Sequence, residues 1–409
     1  MLATRRTFMS TTLAAAAASA ATRGAYTWAE IEKFIEKGDV KGKLTRADLP
    51  TPALLVDLDA FESNVAKMVA YVKGKGRAIR PHGKTHKCPE IAQRLIAAGA
   101  VGACAAKISE ADAFAAAGVR GLLVTTAVVG KYKIERAIRL ARLAPDTMFC
   151  VDNMQTAEEL DAAARAAKIT IPVAIDLWIG NRTGIMPGAP AVALAEGLER
   201  LKNLKLTTIQ AYAGHAAHVV GFEQRKKVST EEMGKAVETI NAIRAKGIAM
   251  ERLTGGSTGT YNIDTDIDGV TELQPGSFMF MDVDYNRIGG ADGNEFYGDF
   301  RNSLTVLTTV VSKPHDALVI VDGGLKAFST DKPYPPRIKD NSAVTFAYGG
   351  DEHGKLTFGT GAKALSVGDK AEFVIPHCDP SVNLYDRLFC LRGDNVEAVW
   401  RVAARGMAQ

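Results

Sequence analysis

The chain has 409 residues, 47% hydrophobic, 23% charged and 7% aromatic, proportions that exclude a disordered, collagen-like or polytopic membrane protein. Fifty Lys and Arg against 46 Asp and Glu leave a formal charge of +4, too small to point to a nucleic-acid partner. Cys88, Cys104, Cys150, Cys378 and Cys390 are odd in number and lack C-x-x-C spacing, which argues against a disulfide framework or a structural zinc knuckle.

Residues 1–21 carry adjacent Arg5 and Arg6, a weakly apolar Ala-rich run and then Ala18-Ser19-Ala20. A basic start, a short apolar stretch and an A-x-A exit describe an export signal, and the run is too short to span a bilayer. Thr4-Arg5-Arg6-Thr7-Phe8-Met9 is similar to the twin-arginine type. A periplasmic location and no stable membrane anchor are therefore expected; the location is cytoplasmic if the signal is not used. The segment is set aside from the fold.

From residue 52 onward, short apolar β-type runs alternate with longer stretches of helical spacing. The runs are Ala53–Leu58, Ala78–Lys84, Gly102–Ala106, Gly121–Thr125, Met148–Val151, Pro172–Trp178, Lys205–Tyr212 and Glu251–Gly255. Between them lie amphipathic segments such as Asp59–Lys73, Pro89–Ala98, Glu110–Ala117, Thr156–Ala167, Ala189–Leu201 and Thr230–Lys246. Eight strand–helix units predict a (β/α)8 barrel over 49–285. A doubly wound open sheet is the alternative, weakened because no G-x-G-x-x-G follows the first strand. Over 286–409 the pattern becomes short β-rich runs divided by Gly, Asp and Pro, with Tyr348–Gly354 reading as a loop between antiparallel strands. A separate C-terminal all-β domain is expected there.

Four stretches carry chemistry. In Arg80-Pro81-His82-Gly83-Lys84-Thr85-His86-Lys87, strand alternation points Arg80, His82, Lys84 and His86 one way. Four cations on one face suit an anionic cofactor, and crowding lowers a lysine's pKa toward Schiff-base reactivity; a solvated basic edge is the bland reading. Thr254-Gly255-Gly256-Ser257-Thr258-Gly259-Thr260, with Gln274-Pro275-Gly276-Ser277 soon after, offers backbone N–H groups to a phosphate, or forms simple turns. Pro376-His377-Cys378-Asp379-Pro380 puts His377 and Asp379 on one face if extended, an imidazole–carboxylate pair suited to Mn²⁺, whereas a His/Cys pair would favour Zn²⁺. A hydrogen-bonded loop pair is the alternative. Finally Gln210–His218 and Asp176–Gly184 leave predicted strands where a barrel presents catalytic groups, offering Tyr212, His218 and Arg182.

Taken together these residues resemble the pyridoxal-phosphate enzymes of alanine-racemase fold, specifically the D-threonine aldolase and D-serine dehydratase family. The resemblance runs from about Leu49 to the C-terminus, with R-P-H-x-K-T-H-K as its most specific motif. It implies that Lys84 carries pyridoxal 5'-phosphate. It implies that Gly255, Gly256, Ser257 and Thr258, with Gly276 and Ser277, cradle its phosphate. Arg182 matches the arginine beside the cofactor's phenolic oxygen, Tyr212 lines its ring, and Gln274 stands where the racemases place an arginine against the pyridine nitrogen. A neutral residue there leans away from racemisation. His377-Cys378-Asp379 follows the aldolase pattern with manganese, magnesium or zinc being further choices of ion, where dehydratases resemble H-x-C with zinc. His218 matches the aldolases' base, and a homodimer is expected from the fold resemblance. The activity implied is cleavage of a D-3-hydroxy amino acid such as D-threonine to glycine and an aldehyde. A dehydratase of D-serine or D-3-hydroxyaspartate type, and a non-catalytic cofactor-binding protein, are the competing readings.

Overall fold

A computed structural model describes residues 26–409; the export-signal stretch 1–21 lies outside the described residues. Strands are numbered in chain order. The first nine are β1 (Ala53–Asp57), β2 (Ala78–Ile79), β3 (Ala103–Ala105), β4 (Leu122–Val124), β5 (Met148–Val151), β6 (Ile171–Asp176), β7 (Leu204–Ala211), β8 (Arg252–Gly255) and β9 (Glu272–Leu273). Strands β2 to β9 form one parallel sheet in the order β2-β9-β8-β7-β6-β5-β4-β3. A parallel bridge between His82 and Cys104 joins its two ends, so the sheet closes into the expected barrel. Strands β3, β4 and β5 are buried along their whole length, as strands covered on both faces must be.

Helices between the strands start and stop on local signals. Asn153 caps Met154–Ala167 by accepting from Thr156 N, Pro89 opens Pro89–Ala98 and Gly99 ends it with φ +115°. None of the described helices is long and apolar enough to cross a membrane.

The second sheet holds β10 (Leu304–His315), β11 (Leu318–Val321), β12 (Arg337–Ile338), β13 (Val344–Tyr348), β14 (Gly354–Phe358), β15 (Lys370–Val374), β16 (Arg387–Arg392) and β17 (Asn395–Arg401). β13 and β14 are antiparallel and pair Tyr348 with Gly354, so the loop read at 348–354 is a hairpin connection.

The first barrel strand is not where the alternation puts it. Ala53–Asp57 belongs to the second sheet, antiparallel to β10 (Ala53 opposite Leu307) and parallel to β16. A short buried apolar run suits either sheet, and its composition does not say which. The barrel instead begins at β2 and ends at the two-residue β9, which is too short for any period to register. The helix Leu58–Gly74 lies where the two sheets meet, with Phe61 against Phe280 (6.3 Å between centroids) and Trp400 (5.9 Å).

Inside the barrel Arg80 grips Glu272 in a fork, Nε to Oε1 at 2.9 Å and an outer guanidinium nitrogen to Oε2 at 3.0 Å, and also donates to the Gly121 carbonyl. Both side chains are buried, so removing one leaves an uncompensated charge in the interior. Arg80→Met should lower the urea-unfolding free energy by about 3–5 kcal/mol, and an unchanged midpoint would show that the pair contributes nothing.

Candidate active site

The cleft is built first by what happens after β2. The extended backbone reaches His82, then Gly83–Thr85 forms a single 3-10 turn. A Cβ at Gly83 would sit 2.9 Å from the Cys104 carbonyl oxygen and closer still to the Phe114 ring, so only glycine lets the chain pass this close to its neighbours. The turn breaks the alternation expected over 80–86. Arg80 points into the barrel interior; His82 and Lys84 reach the cleft. His86 is buried against Phe114 (5.8 Å between centroids), with Nδ1 accepting from Cys88 N at 3.1 Å. Burial holds the His86 imidazole down at about 3, so it is neutral and not part of a cationic face. The four-cation face is therefore replaced by two side chains that enter the cleft.

Lys84, Tyr212, His218, Ser257, Gln274, Gly276, Ser277, His377 and Asp379 line this one cleft, together with His82, Thr85 and Tyr285. Arg182 stands behind Tyr212, its guanidinium 4.7 Å from the ring centroid, and Lys84 Nζ lies 6.0 Å from the same centroid. Gly255, Gly256 and Thr258 lie behind the wall. Gly256 has φ +70°, and Thr258 spends its hydroxyl on Phe278 N at 3.0 Å and its carbonyl on Tyr297 at 2.9 Å. Gln274 Nε2 donates to Thr254 Oγ1 at 3.0 Å, and Thr254 donates onward to Glu272.

The charge state of Lys84 differs from what crowding by cations would give. Its Nζ is 3.2 Å from Asp379 Oδ1; that carboxylate raises the lysine's pKa against the opposing effect of burial. Burial works to raise the Asp379 carboxyl, but Lys84 and His377 outweigh it and hold the group at about 2. The free site thus contains an ammonium–carboxylate pair rather than a free amine.

His377 and Asp379 do approach, Nε2 to Oδ2 at 3.9 Å, while Asp331 Oδ2 holds the other nitrogen, Nδ1, at 2.7 Å. They meet around the start of the short helix Cys378–Val382, which His377 caps, rather than along an extended strand. Cys378 turns away as expected: it is buried, its Sγ directed at the Met281 carbonyl, and burial pushes its thiol well up. An Asp331 carboxylate can only accept, so Nδ1 carries a hydrogen and Nε2 is the nitrogen turned toward Asp379. Nε2 and Oδ2, 3.9 Å apart, are too far for a direct hydrogen bond, and an imidazole nitrogen and a carboxylate oxygen can both ligate one divalent ion completed by water or substrate, so this pair fits such an ion. Among the described residues no group of three or more metal-ligating side chains occurs. The far wall fits an anion. Among the described residues the backbone N–H groups of Gly276 and Ser277 donate to no protein acceptor, and a Cβ on Gly276 would collide with Thr85 Oγ1.

His218 rests against the Tyr285 ring (4.7 Å between centroids), with Nδ1 2.9 Å from Asp284 Oδ2. Lys332 Nζ is 2.7 Å from the same oxygen, and the Tyr334 hydroxyl donates to Oδ1. Both Oδ2 contacts fall outside hydrogen-bond geometry, so Lys332 meets this oxygen as a charge–charge contact and His218 Nδ1 by close approach. Asp284, Asp331, Lys332 and Tyr334 carry no motif and are unanticipated; His82 and Thr85 lie within the lysine motif, which was the one signal available for them.

A parallel barrel with a lysine and a glycine-lined anion cradle at its mouth, closed by a second sheet, defines a barrel enzyme of the alanine racemase type. The alanine racemase N-terminal domain matches residues 56–284, and the serine dehydratase domain matches 303–391. The chain belongs to the D-threonine aldolase and D-serine dehydratase family of that fold. It is 39% identical over 370 residues to the 3-hydroxy-D-aspartate aldolase of Paracoccus denitrificans, spanning 89% of this chain and 94% of that one. It is 38% identical to the D-threonine aldolase of an Arthrobacter species, spanning 90% of this chain and 95% of the relative. The crystal structure of D-threonine aldolase from Filomicrobium marinum superposes with a TM-score of 0.85 at 36% identity, covering 90% of this chain and 99% of that one.

Asp284 gives a pH test. Burial acts to raise its carboxyl, but His218 and Lys332 hold it at about 2, below the ordinary 3.8. A depressed folded-state pKa stabilises the protein above the unfolded value, and that contribution disappears as pH falls from about 4 to 2. Urea unfolding at pH 6 and pH 2.5 should show Asp284→Asn losing less stability on acidification than the parent; equal losses would remove the assignment.

Proposed function

We propose that the protein is a pyridoxal 5'-phosphate-dependent lyase that cleaves D-3-hydroxy amino acids, D-threonine among them, to glycine and an aldehyde. A divalent ion, Mn²⁺ in preference to Mg²⁺ or Zn²⁺, assists. The observation that carries this reading is the meeting of Lys84 with the His377–Asp379 pair in one cleft. An amine able to bond an aldehyde and a pair able to hold a hard cation are thereby brought to the same reacting centre.

When bound, the cofactor supplies an electron sink for the charge left on Cα, and the ion supplies a Lewis acid for the β-hydroxyl. The chain's own residues do the rest. Lys84 must give up its proton and its partner Asp379 to anchor the cofactor, which frees the carboxylate to share a cation with His377. The backbone N–H groups of Gly276 and Ser277, which have no protein acceptor, would hold the phosphate, with Ser257 beside them in the cleft and Gly255, Gly256 and Thr258 shaping the wall behind. Arg182, stacked on Tyr212, would set positive charge beside the cofactor's phenolic oxygen, and Gln274 would face its ring nitrogen. With Nδ1 turned to Asp284, His218 has Nε2 free to take the proton of the substrate β-hydroxyl, directly or through water. The Cα–Cβ bond breaks as that proton leaves, and protonation at Cα completes glycine.

The relatives named aldolases support this activity. The reading includes a homodimer and, through residues 1–21, export in folded form by the twin-arginine route.

Incubation of the cofactor-loaded protein with D-threonine and Mn²⁺ should yield acetaldehyde and glycine in equal amounts. Production of 2-oxo acid and ammonia alone would make the protein a dehydratase instead. EDTA should abolish turnover while the yellow colour stays; a carrier would keep its colour and have no turnover to lose. Lys84→Ala should remove the Schiff-base absorbance, and an unchanged spectrum would place the anchor elsewhere.

A further inference from the structure

One loop of the β domain supplies the partner of one cleft imidazole, His377, and touches the partner of another, His218. Asp331 accepts from His377 Nδ1 at 2.7 Å. Its neighbour Lys332 reaches Asp284 at 2.7 Å, and Tyr334 donates to the other oxygen of the same carboxylate. Asp284 in turn faces His218 Nδ1 at 2.9 Å. The loop is fixed at both ends. Ser329 Oγ donates to the His377 carbonyl at 3.3 Å and Ser329 N donates to Ser381 Oγ at 3.2 Å. At the other end Tyr334 lies under Arg287, 4.6 Å from the guanidinium to the ring centroid. Pro333, Pro335 and Pro336 flank Tyr334 and lock φ at three positions. Such a segment loses little entropy in holding its side chains to one geometry.

We propose that Asp331–Tyr334 is a positioning loop that sets both imidazoles at once. Asp331 keeps His377 in the Nδ1–H tautomer with Nε2 toward Asp379. Lys332 and Tyr334 pin the Asp284 carboxylate that turns the Nδ1 of His218 away from the cleft. The roles of His377 and His218 in catalysis rest on the function proposed above; the tautomer and orientation do not.

The test separates the two. Cofactor-loaded, metal-free protein labelled with ¹⁵N at its seven histidines is examined by NMR above the ordinary imidazole titration range, with His377→Gln and His218→Gln assigning the signals. His377 should appear as the Nδ1–H tautomer in the parent, shift toward Nε2–H in Asp331→Ala, and return in Asp331→Asn, whose carbonyl still accepts. Loss of a partner of this kind weakens metal binding about 10–100-fold, so Mn²⁺ titration followed by electron paramagnetic resonance should show that weakening for Asp331→Ala and partial recovery for Asp331→Asn. The double variant Lys332→Met/Tyr334→Phe should move the His218 signals and lower kcat on D-threonine about tenfold, with KM and Mn²⁺ affinity within about twofold, the signature of a lost transition-state interaction. An Nε2–H parent tautomer, or spectra unchanged in both variants, overturns the proposal. Shifted tautomers in a protein that neither binds Mn²⁺ nor cleaves D-threonine would sustain the loop's role and defeat the aldolase reading.

Discussion

An ammonium and a carboxylate 3.2 Å apart join the barrel mouth to the β domain. Lys84 comes from the turn after the first barrel strand, and Asp379 from the short helix after β15. Because burial penalises each charge alone, neither can change state without the other responding. A lysine that becomes neutral leaves Asp379 in need of a new cation, and His377 Nε2, 3.9 Å away, marks where one would be shared. The occupancy of the two halves of the cleft is therefore coupled by electrostatics.

Around that pair the site is arranged in tiers. The imidazoles of His218 and His377 reach the cleft, while Asp284 and Asp331 stand behind them on the Nδ1 side. Beneath Gln274 a run of hydrogen bonds passes through Thr254 to Glu272 and ends on Arg80. The barrel interior thus carries a polar chain that fixes the floor of the cleft, beside an apolar cluster of Cys104, Leu123, Met148, Cys150 and Ala174.

The parts legible in the sequence were those where several unusual side chains fall within a few residues. Arg80–Lys87 and His377–Asp379 are dense in chemistry, and Gly255–Thr258 is dense in glycine and hydroxyl groups, so each stretch carries its own signal. The geometry within them was less readable. Alternation does not survive Gly83, whose tight approach to Phe114 and Cys104 turns the chain and sends His86 away from the cleft, while Arg80, below His82 on the strand, is drawn into the barrel interior by Glu272. The orienting carboxylates were invisible because nothing local marks them: Asp331 is 46 residues from the histidine it holds. The alternating pattern correctly implied a barrel and a β domain, yet it misplaced β1 and missed β9. Burial on both faces gives a strand an apolar run but no address.

The placement of β1 makes the second sheet discontinuous in the chain. Ala53–Asp57 must lie between β10 and β16, both synthesised after the whole barrel. On the ribosome this early segment stays unpaired until residues beyond 300 emerge, then closes a very long loop to complete the sheet. Nascent chains stalled before β10 would expose Leu54, Leu55 and Val56, and they would offer chaperones a ready target. The barrel is thereby inserted into the sheet domain, and the last strands to be made govern when the earliest one becomes protected.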